Sequence, residues 1–401
     1  SMVNSPIFAP KKTTVIFNTN TSNILDSTGK YYNRICDYFY EKDLKNTFFI
    51  EEPTGFKHFK SRRHSNYYSK LSFSIFIEIY GKILKIIEKS KTKQSAQIVD
   101  EIILEINEIL SSKNLSIDSD KLKSALIRRI ILIKPTYCLY MFFFKLKRVK
   151  NIYIEDGYYG LDKSIIIKAA KDLKIKVFEP QHGFVNKLHP AYNFGTEILK
   201  NASLKSYYPD YFLCYGEFWK NNINVFNETI LFGNPHLEKT IKEKTNFKVK
   251  KQILVIGSGV TIIETNLLLK SLLKYKFEGY EIVYRPHPLE SENINSRYSE
   301  NIKLGIKIDK KDLYDSLIES EIIVGELSTV IFEALAFRKT VYLFNSSYTK
   351  TYIDKNIKFF KLFSLDNIES IFDKQTFDND SIEYYWKQNW EQSYKKIELN
   401  K

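Results

Sequence analysis

The feature that most constrains the fold is a regular alternation of short β-rich segments and helical segments. Most β-rich segments end in a polar or glycine-containing motif before the chain continues. Strands are predicted at residues 13–17, 47–50, 151–154, 174–178, 211–214, 229–232, 252–256, 280–284, 321–324 and 340–344. Helices are predicted at 161–173, 261–273, 313–320 and 330–337. This alternation predicts parallel sheets with helices on both faces.

A chain of 401 residues is long enough for two domains, each with its own core. The pattern predicts a Rossmann-like N-terminal domain over residues 1–238 and a second Rossmann-like domain over 252–380. A lysine-rich segment, 239–251, is predicted to link them. Residues 381–401 contain Trp386 and Trp390 at helical spacing, which indicates a C-terminal helix that packs back across both domains.

Apolar residues recur at helical spacing from about residue 71 to 147, which predicts a helical insertion in the first domain. Its most apolar run, 130–144, is followed by a basic flank that ends at Lys150. Because Lys134 and Pro135 interrupt the run, it is too short to span a bilayer. A buried helix and a lipid-facing interfacial patch both fit this pattern.

The formal net charge of +14 favours acidic partners such as anionic lipid, nucleic acid or a phosphorylated substrate. Basic and aromatic residues are not interleaved as in the known nucleic-acid modules, so no nucleic-acid partner is expected. Cys36, Cys138 and Cys214 lie far apart and form no CxxC pair, which predicts neither a disulfide framework nor a zinc site. These features, with no secretory signal at the start, predict a cytoplasmic protein.

Several candidate anion-binding residues follow the predicted strands of the second domain. Arg285 and His287 lie in the sequence Tyr-Arg-Pro-His-Pro, whose prolines restrict the backbone. Glu326, Ser328 and Thr329 follow the strand at 321–324 and begin a helix. The hydroxyl groups could bind a phosphate at the helix N-terminus or simply cap the helix, and the two roles share one geometry.

A third loop of the same predicted edge contains Gly257, Ser258 and Gly259. It is not a GxGxxG motif, because Ile262 occupies the third glycine position, and the chain has no GKS or GKT sequence. These departures argue against a Rossmann dehydrogenase and a P-loop NTPase.

The first domain supplies candidate acid-base groups. Glu155 and Asp156 follow the strand at 151–154, and a carboxylate held there could act as a general base. Further cleft candidates follow the next strand: Gln181, His182, His189 and Tyr192. One strand end offers too few ligands for a metal ion, so no metal site is predicted. No nucleophile elbow is present, which disfavours hydrolase chemistry.

In their order along residues 151–345, these motifs resemble those of bacterial GT-B sialyltransferases and polysialyltransferases. The resemblance rests on Glu155-Asp156-Gly157, His287-Pro288 and Ser328-Thr329. Gln181-His182-Gly183, with His189 and Tyr192 after it, is similar to a pattern in surface-polysaccharide glycosyltransferases, including some that transfer Kdo. The resemblance implies a GT-B fold, in which two Rossmann-like domains face each other across a cleft.

By that resemblance, Asp156 is the catalytic base, His287 binds the donor phosphate or acts as an acid, and Ser328 and Thr329 bind the same phosphate. The implied activity is an inverting, metal-independent transfer of sialic acid, Kdo or another nonulosonic acid from a CMP-linked donor. No cofactor is expected beyond this co-substrate. The acceptor would be a glycan or glycolipid of a bacterial capsule or lipopolysaccharide, and the enzyme could work on the inner face of the plasma membrane.

Two alternatives stay open at this point. The sequence Tyr-Arg-Pro-His-Pro also resembles the HP segment of polyol-phosphate transferases that use CDP-glycerol. A basic protein of this composition could instead be a non-catalytic scaffold that binds membrane or nucleic acid through its lysines.

Overall fold

The computed structural model describes residues 4–53, 58, 61–244, 247–290, 293–353, 357–373 and 379–399. The strands of the N-terminal half are β1 (Thr14–Thr19), β2 (Asn23–Leu25), β3 (Tyr31–Asn33), β4 (Thr47–Glu52), β5 (Tyr67–Ser69), β6 (Asn151–Ile154), β7 (Lys176–Pro180), β8 (Tyr211–Cys214) and β9 (Glu228–Leu231). Its helices are α1 (Asp37–Lys42), α2 (Leu71–Ile87), α3 (Lys89–Ser111), α4 (Ser119–Lys147), α5 (Asp162–Asp172), α6 (Thr196–Lys200), α7 (Glu217–Lys220) and α8 (Pro235–Glu243).

The strands of the C-terminal half are β10 (Lys250–Ile256), β11 (Glu281–Arg285), β12 (Lys307–Ile308), β13 (Ser320–Gly325), β14 (Thr340–Phe344) and β15 (Lys361–Phe363). Its helices are α9 (Ile262–Leu272), α10 (Ile294–Arg297), α11 (Ser299–Lys303), α12 (Leu313–Glu319), α13 (Thr329–Ala336), α14 (Ser347–Tyr352), α15 (Asn379–Tyr385) and α16 (Trp390–Leu399).

Each half is built on one parallel sheet. Within the described part of the chain, the first sheet has the strand order β5-β4-β1-β6-β7-β8-β9 and the second has the order β12-β11-β10-β13-β14-β15. The paired strands run parallel in both sheets. The central strands are buried on both faces, as their continuous apolar sequences require. The structure therefore confirms the predicted α/β fold with two Rossmann-like domains.

The predicted helical insertion is also confirmed, as the three long helices α2, α3 and α4. The Asp118 side chain caps α4 by accepting a hydrogen bond from Lys121 N at 3.1 Å. In the apolar run at 130–144, Tyr140, Phe143 and Phe144 are buried against the first sheet, whereas Phe142 is exposed. The run is thus largely a core helix. Among the described residues, no helix is long and apolar enough to cross a membrane.

Helix α8 continues to Glu243 and strand β10 begins at Lys250, so both ends of the predicted linker at 239–251 belong to regular elements. The C-terminal tail contacts both domains. Trp386 Nε1 donates a hydrogen bond to Phe332 O of α13 at 2.7 Å, and Trp219 Nε1 of α7 donates to Tyr385 O at 2.7 Å. Farther along, Trp390 packs against the core of the first domain. The tail therefore joins the domains along one side.

Candidate active site

Three loops of the second domain leave its sheet at the same level. Ile256, the last residue of β10, pairs with Arg285 at the end of β11 and with Gly325 at the end of β13. Because carboxyl ends of neighbouring parallel strands share an edge, the loops that follow lie side by side. They are the loops that contain the glycine, HP and Ser-Thr motifs.

A buried glutamate that the sequence reasoning did not single out fixes the HP turn. Glu290 accepts hydrogen bonds from His287 N at 2.8 Å, from Tyr284 Oη at 3.0 Å and from Tyr298 Oη at 2.5 Å. The guanidinium of Arg285 donates a hydrogen bond to Asp309 Oδ2 at 2.6 Å, so Arg285 is paired within its own domain. Arg285 therefore stabilises the loop and does not extend into the cleft.

The glycine loop packs directly on the HP turn. Gly259 has a φ of +76°, and a Cβ atom built on it would lie 3.2 Å from His287 Cβ. The hydroxyl groups of Ser258 and Thr261 both donate to the carboxylate of Glu326. Since Glu326 is 3% exposed, it is a brace between two loops and not a group on the cleft surface.

Ser328 caps helix α13, with its Oγ accepting a hydrogen bond from Ile331 N at 3.4 Å. Thr329 is the first residue of the helix, and both side chains are half-buried. The capping role is therefore present, and it leaves the positive end of the helix dipole at the carboxyl edge of the sheet.

The first domain presents Asp156 from a strained loop. Phe17 of β1 pairs with Ile154 of β6, so the loop after β6 lies beside the end of β1. Asp156 has a φ of +56° and Leu161 a φ of +63°, values that cost energy for residues other than glycine. Gly157 is explained by packing, because a Cβ atom there would lie 2.8 Å from Glu179 Oε2.

Two basic side chains face the Asp156 carboxylate. His182 Nδ1 lies 3.2 Å from Asp156 Oδ1, and Lys163 Nζ lies 3.4 Å from Asp156 Oδ2. Burial lowers the pKa of His182, although the charge of Asp156 opposes this shift. A neutral His182 that donates from Nδ1 to Asp156 leaves Nε2 as an acceptor, 3.3 Å from Tyr159 Oη.

The other histidine and the tyrosine of this loop cluster complete the same network. His189 Nε2 lies 3.2 Å from Tyr159 Oη, so Tyr159 bridges the two histidines. Tyr192 is buried and donates to Glu179 Oε1 at 2.6 Å. Burial raises the pKa of Glu179 to about 8, even though the Tyr192 hydrogen bond opposes the shift.

Two polar residues predicted for the cleft lie beneath it instead. Glu155 is 1% exposed and accepts hydrogen bonds from Thr19 N at 2.6 Å and Thr19 Oγ1 at 2.8 Å. Burial raises its pKa to about 7. Gln181 is equally buried, and its Oε1 accepts from Tyr215 N at 2.9 Å. Both side chains hold neighbouring strand ends together and do not reach the surface of the cleft.

The two clusters meet across the cleft at Gly183 and Thr329. A Cβ atom built on Gly183 would lie 4.0 Å from Thr329 Oγ1, so the loop after His182 lies against the start of α13. Next to it, the rings of Phe184 and Phe332 stack with their centroids 5.8 Å apart. The Asp156-His182 pair and the Ser328-Thr329 helix start are therefore two sides of one site.

Sequence reasoning missed Lys163, Tyr159, Glu179 and Glu290, which hold or surround the predicted residues. Tyr159 and Glu179 lie in the segments that follow β6 and end β7, where no role was predicted for them. Lys163 faces Asp156 because α5 begins shortly after the strained loop. Among the described residues, no cluster of three or more His, Cys, Asp or Glu side chains is arranged to hold a metal ion.

Comparisons with known proteins give a fold and no family. No protein-family model and no curated protein sequence matches the chain. Among solved structures, it is similar to UDP-GlcNAc 2-epimerase from Methanocaldococcus jannaschii, at 13% identity over 97% of this chain and 99% of that one, with a TM-score of 0.51. A second UDP-N-acetylglucosamine 2-epimerase matches at 14% identity over 98% of this chain and 95% of that one, with a TM-score of 0.48. The first likeness supports the GT-B arrangement of two Rossmann-like domains.

Proposed function

We propose that the protein is an inverting, metal-independent GT-B glycosyltransferase that uses a CMP-linked donor of the nonulosonic acid type, such as sialic acid or Kdo, to extend a bacterial surface glycan. The observation that supports this best is the approach of Gly183 to Thr329, which sets a carboxylate-histidine pair opposite a helix N-terminus. Acid-base chemistry and phosphate binding are the two requirements of glycosyl transfer from a nucleotide donor.

In this proposal the first domain activates the acceptor. Asp156 takes the proton of the acceptor hydroxyl as it attacks the anomeric carbon, and Lys163 places a positive charge beside the carboxylate. His182, hydrogen-bonded to the same carboxylate, fixes its orientation. The strained backbone at Asp156 is consistent with a catalytic position that the surrounding structure holds in place.

The second domain binds the leaving nucleotide. His287, Ser328, Thr329 and the N-terminus of α13 would hold the phosphate as its bond to the sugar breaks. Preorganised donors of this kind stabilise the negative charge that develops on the leaving group. Glu290 and Glu326 contribute indirectly, because they fix the loops on which these donors lie.

The test is CMP release from a CMP-linked acid sugar by the purified protein and its variants. Asp156→Asn keeps a residue that tolerates positive φ, and it should lower the transfer rate about 10²- to 10⁴-fold, the usual contribution of a general base. His287→Ala should weaken CMP binding. Asp120→Asn on the helical insertion is the matched control. Near-normal transfer by both Asp156→Asn and His287→Ala would refute these roles.

The alternative of a polyol-phosphate transferase is tested in the same assay by replacing the donor. Release of CMP from CDP-glycerol, without turnover of CMP-linked sugars, would establish that activity instead. A panel of CMP, CDP, UDP and GDP in thermal unfolding identifies the nucleotide, since a ligand that binds only the folded state raises its stability. No turnover and no nucleotide binding, with steeply salt-dependent membrane or nucleic-acid binding, would support a non-catalytic scaffold.

We further propose that the enzyme works at an anionic membrane surface, and that α2 makes the contact. Ile75, Ile79, Ile83 and Ile86 recur along this helix at a spacing of three or four residues and are 46–69% exposed. Lys82 and Lys85 are exposed on the same helix. An apolar stripe with lysines beside it fits an interfacial helix on anionic lipid.

A further inference from the structure

Arg34 enters the cleft from a segment that contains no motif. It follows β3 in the β2-β3 hairpin, where the buried Asn33 side chain accepts hydrogen bonds from Ile35 N at 2.9 Å and Cys36 N at 2.8 Å. Arg34 N in turn donates to Ser22 O at 3.0 Å. These bonds fix the backbone on both sides of the arginine, so the point from which its side chain extends is set by the fold.

The arginine lies at the carboxyl edge of the first sheet. It lines a small cavity together with Pro180 and Gln181 at the end of β7, Tyr215 after β8, and Gly233 after β9. Its electrostatic neighbours come from both domains, and the strongest is Glu333 of α13, followed by Tyr314 of α12. Arg34 therefore lies where the two domains face each other, on the same edge as the Asp156-His182 pair.

Part of the hydrogen-bonding capacity of these two residues is unused within the described part of the chain, although Tyr314 is a hydrogen-bond partner of Glu333. No described side chain or carbonyl oxygen lies within hydrogen-bond or ion-pair distance of the Arg34 guanidinium, although the residue is half-buried. Opposite it, Glu333 is 3% exposed and its Oε2 accepts no hydrogen bond from any described group. Buried polar groups are seldom left without partners, so both ends of this pair point to a ligand.

A ligand that satisfies both residues has an oxyanion and a hydroxyl group. A guanidinium binds a carboxylate through two parallel N–H···O bonds. A glutamate oxygen accepts a hydrogen bond from a hydroxyl group. Acidic sugars have both groups on one ring, whereas a free phosphate ion would satisfy only the arginine.

The charges around Arg34 do not strongly repel an added anion. Burial raises the pKa of Glu155 to about 7 and that of Glu179 to about 8, and it also raises the pKa of Glu333. These acids therefore carry less negative charge near neutral pH than exposed glutamates would. Asp156 already faces Lys163 and His182, so the positive charge of Arg34 is not cancelled by it.

We propose that Arg34 and Glu333 form a recognition site for an acidic sugar, in which Arg34 binds the sugar carboxylate and Glu333 accepts a hydrogen bond from a hydroxyl group of the same sugar. The inference rests on the proposed function for its setting, since it places an acid sugar between the base and the phosphate site. It assigns a residue from each domain, so the site is complete only when the domains face each other.

The test compares sialic acid with its methyl ester, which keeps the hydroxyl groups and removes the charge, by isothermal titration calorimetry. The wild-type protein should bind the acid more tightly than the ester. Arg34→Gln should abolish this preference and weaken acid binding about 10- to 100-fold, the range of a hydrogen bond to a charged group. Arg34→Lys should keep part of the preference for the acid, because lysine retains the positive charge but lacks the planar guanidinium group. Arg128→Gln on α4 is the control.

CMP binding separates this inference from the proposed function. If Arg34→Gln binds CMP like the wild type and loses only the acid preference, the sugar site stands, whether or not the protein transfers sugar. If Arg34→Gln weakens CMP binding as much as acid binding, Arg34 is a phosphate ligand and the proposal fails. Equal binding of acid and ester by the wild type, or binding of neither, also overturns it.

The source of the acid is resolved by two further probes. A CMP-linked acid sugar that loses affinity in Arg34→Gln places the site on the donor side. A glycan that ends in an acid sugar and loses affinity in the same variant places it on the acceptor side. Circular dichroism of each variant confirms folding, and Glu333→Gln, which leaves the arginine in place, provides an independent probe of the same site.

Discussion

At the scale of single residues, Glu179 connects the stability of the protein to pH. Burial raises its pKa from 4.5 to about 8, so the folded state retains a proton that the unfolded state releases over this interval. The free energy of unfolding contributed by Glu179 is therefore fully present below about pH 4.5 and is lost as the pH rises toward 8. Each pKa unit corresponds to at most about 1.4 kcal/mol.

Glu179→Gln should remove this pH dependence, because glutamine mimics the protonated acid. Its amide can accept from Tyr158 N and donate to Tyr192 Oη, the two groups that Glu179 now contacts. We expect the melting temperature of the variant to match the wild type near pH 5 and to exceed it by at least about 2 °C near pH 8.5. Glu197→Gln, an exposed substitution on α6, is the control. A constant offset at all pH values would contradict the assignment.

The positions of the site residues could be predicted from the sequence, but the directions of their side chains could not. Asp156 and Ser328 could be placed at strand ends, because the apolar runs before them are unambiguous. Whether a polar side chain at a strand end points into the cleft or back into the protein depends on neighbours distant in sequence. Glu155 turns inward to Thr19, and Glu326 turns inward to Ser258, so both are buried. No sequence motif indicated a role for Arg34, since only the fold brings its hairpin to the cleft.

At the scale of secondary-structure elements, the C-terminal tail depends on a close approach of two backbones. A Cβ atom built on Gly216, just before α7, would lie 2.5 Å from Tyr385 O of α15. A backbone oxygen cannot move away without displacing the tail. The tail also accepts the hydrogen bond from Trp219 and donates the one from Trp386 to α13. Its position therefore depends on the absence of a side chain at residue 216.

Gly216→Ala should lower the melting temperature and make the tail more sensitive to limited proteolysis. Overpacking of this kind typically costs about 1–3 kcal/mol. Gly195→Ala is the matched control, because a Cβ atom there would meet no atom within 4 Å. Equal behaviour of the two variants would show that the tail does not need the close approach.

The elements themselves were largely predictable, and the reason is physical. Parallel strands buried on both faces are continuous apolar runs, and α2 and α3 show clear helical periodicity. The hairpin of β2 and β3 was not predicted, because each strand has only three residues and the hairpin lies outside both main sheets. The segment at 239–251 resembled a linker because its many lysines made the end of α8 hard to recognise in the sequence.

At the scale of the whole molecule, the net charge of +14 and the exposed stripe on α2 predict binding to anionic vesicles at low salt. Burial of one isoleucine contributes about 1.5–3 kcal/mol, so Ile79→Glu with Ile83→Glu should reduce the bound fraction at least about tenfold. Co-sedimentation with vesicles of phosphatidylcholine and phosphatidylglycerol measures this.

Leu104→Glu is the matched control for that experiment. Leu104 is 62% exposed on α3, whose outer face also has Glu101, Glu105 and Glu108. An acidic face should contact anionic lipid poorly, so this variant should bind like the wild type. If the α2 and α3 variants bind vesicles equally well, α2 is not the contact surface.

The paired connections between the domains have a mechanical consequence. Within the described part of the chain, one connection follows α8, and the other lies between α15 and α16. Trp390 N, just after the second, donates to Glu238 Oε2, just before the first, at 3.1 Å. Because the two connections are hydrogen-bonded to each other, they resist sliding of one domain along the other. Sliding would also break the stack of Phe184 on Phe332, so this restraint keeps Gly183 beside Thr329 across the cleft.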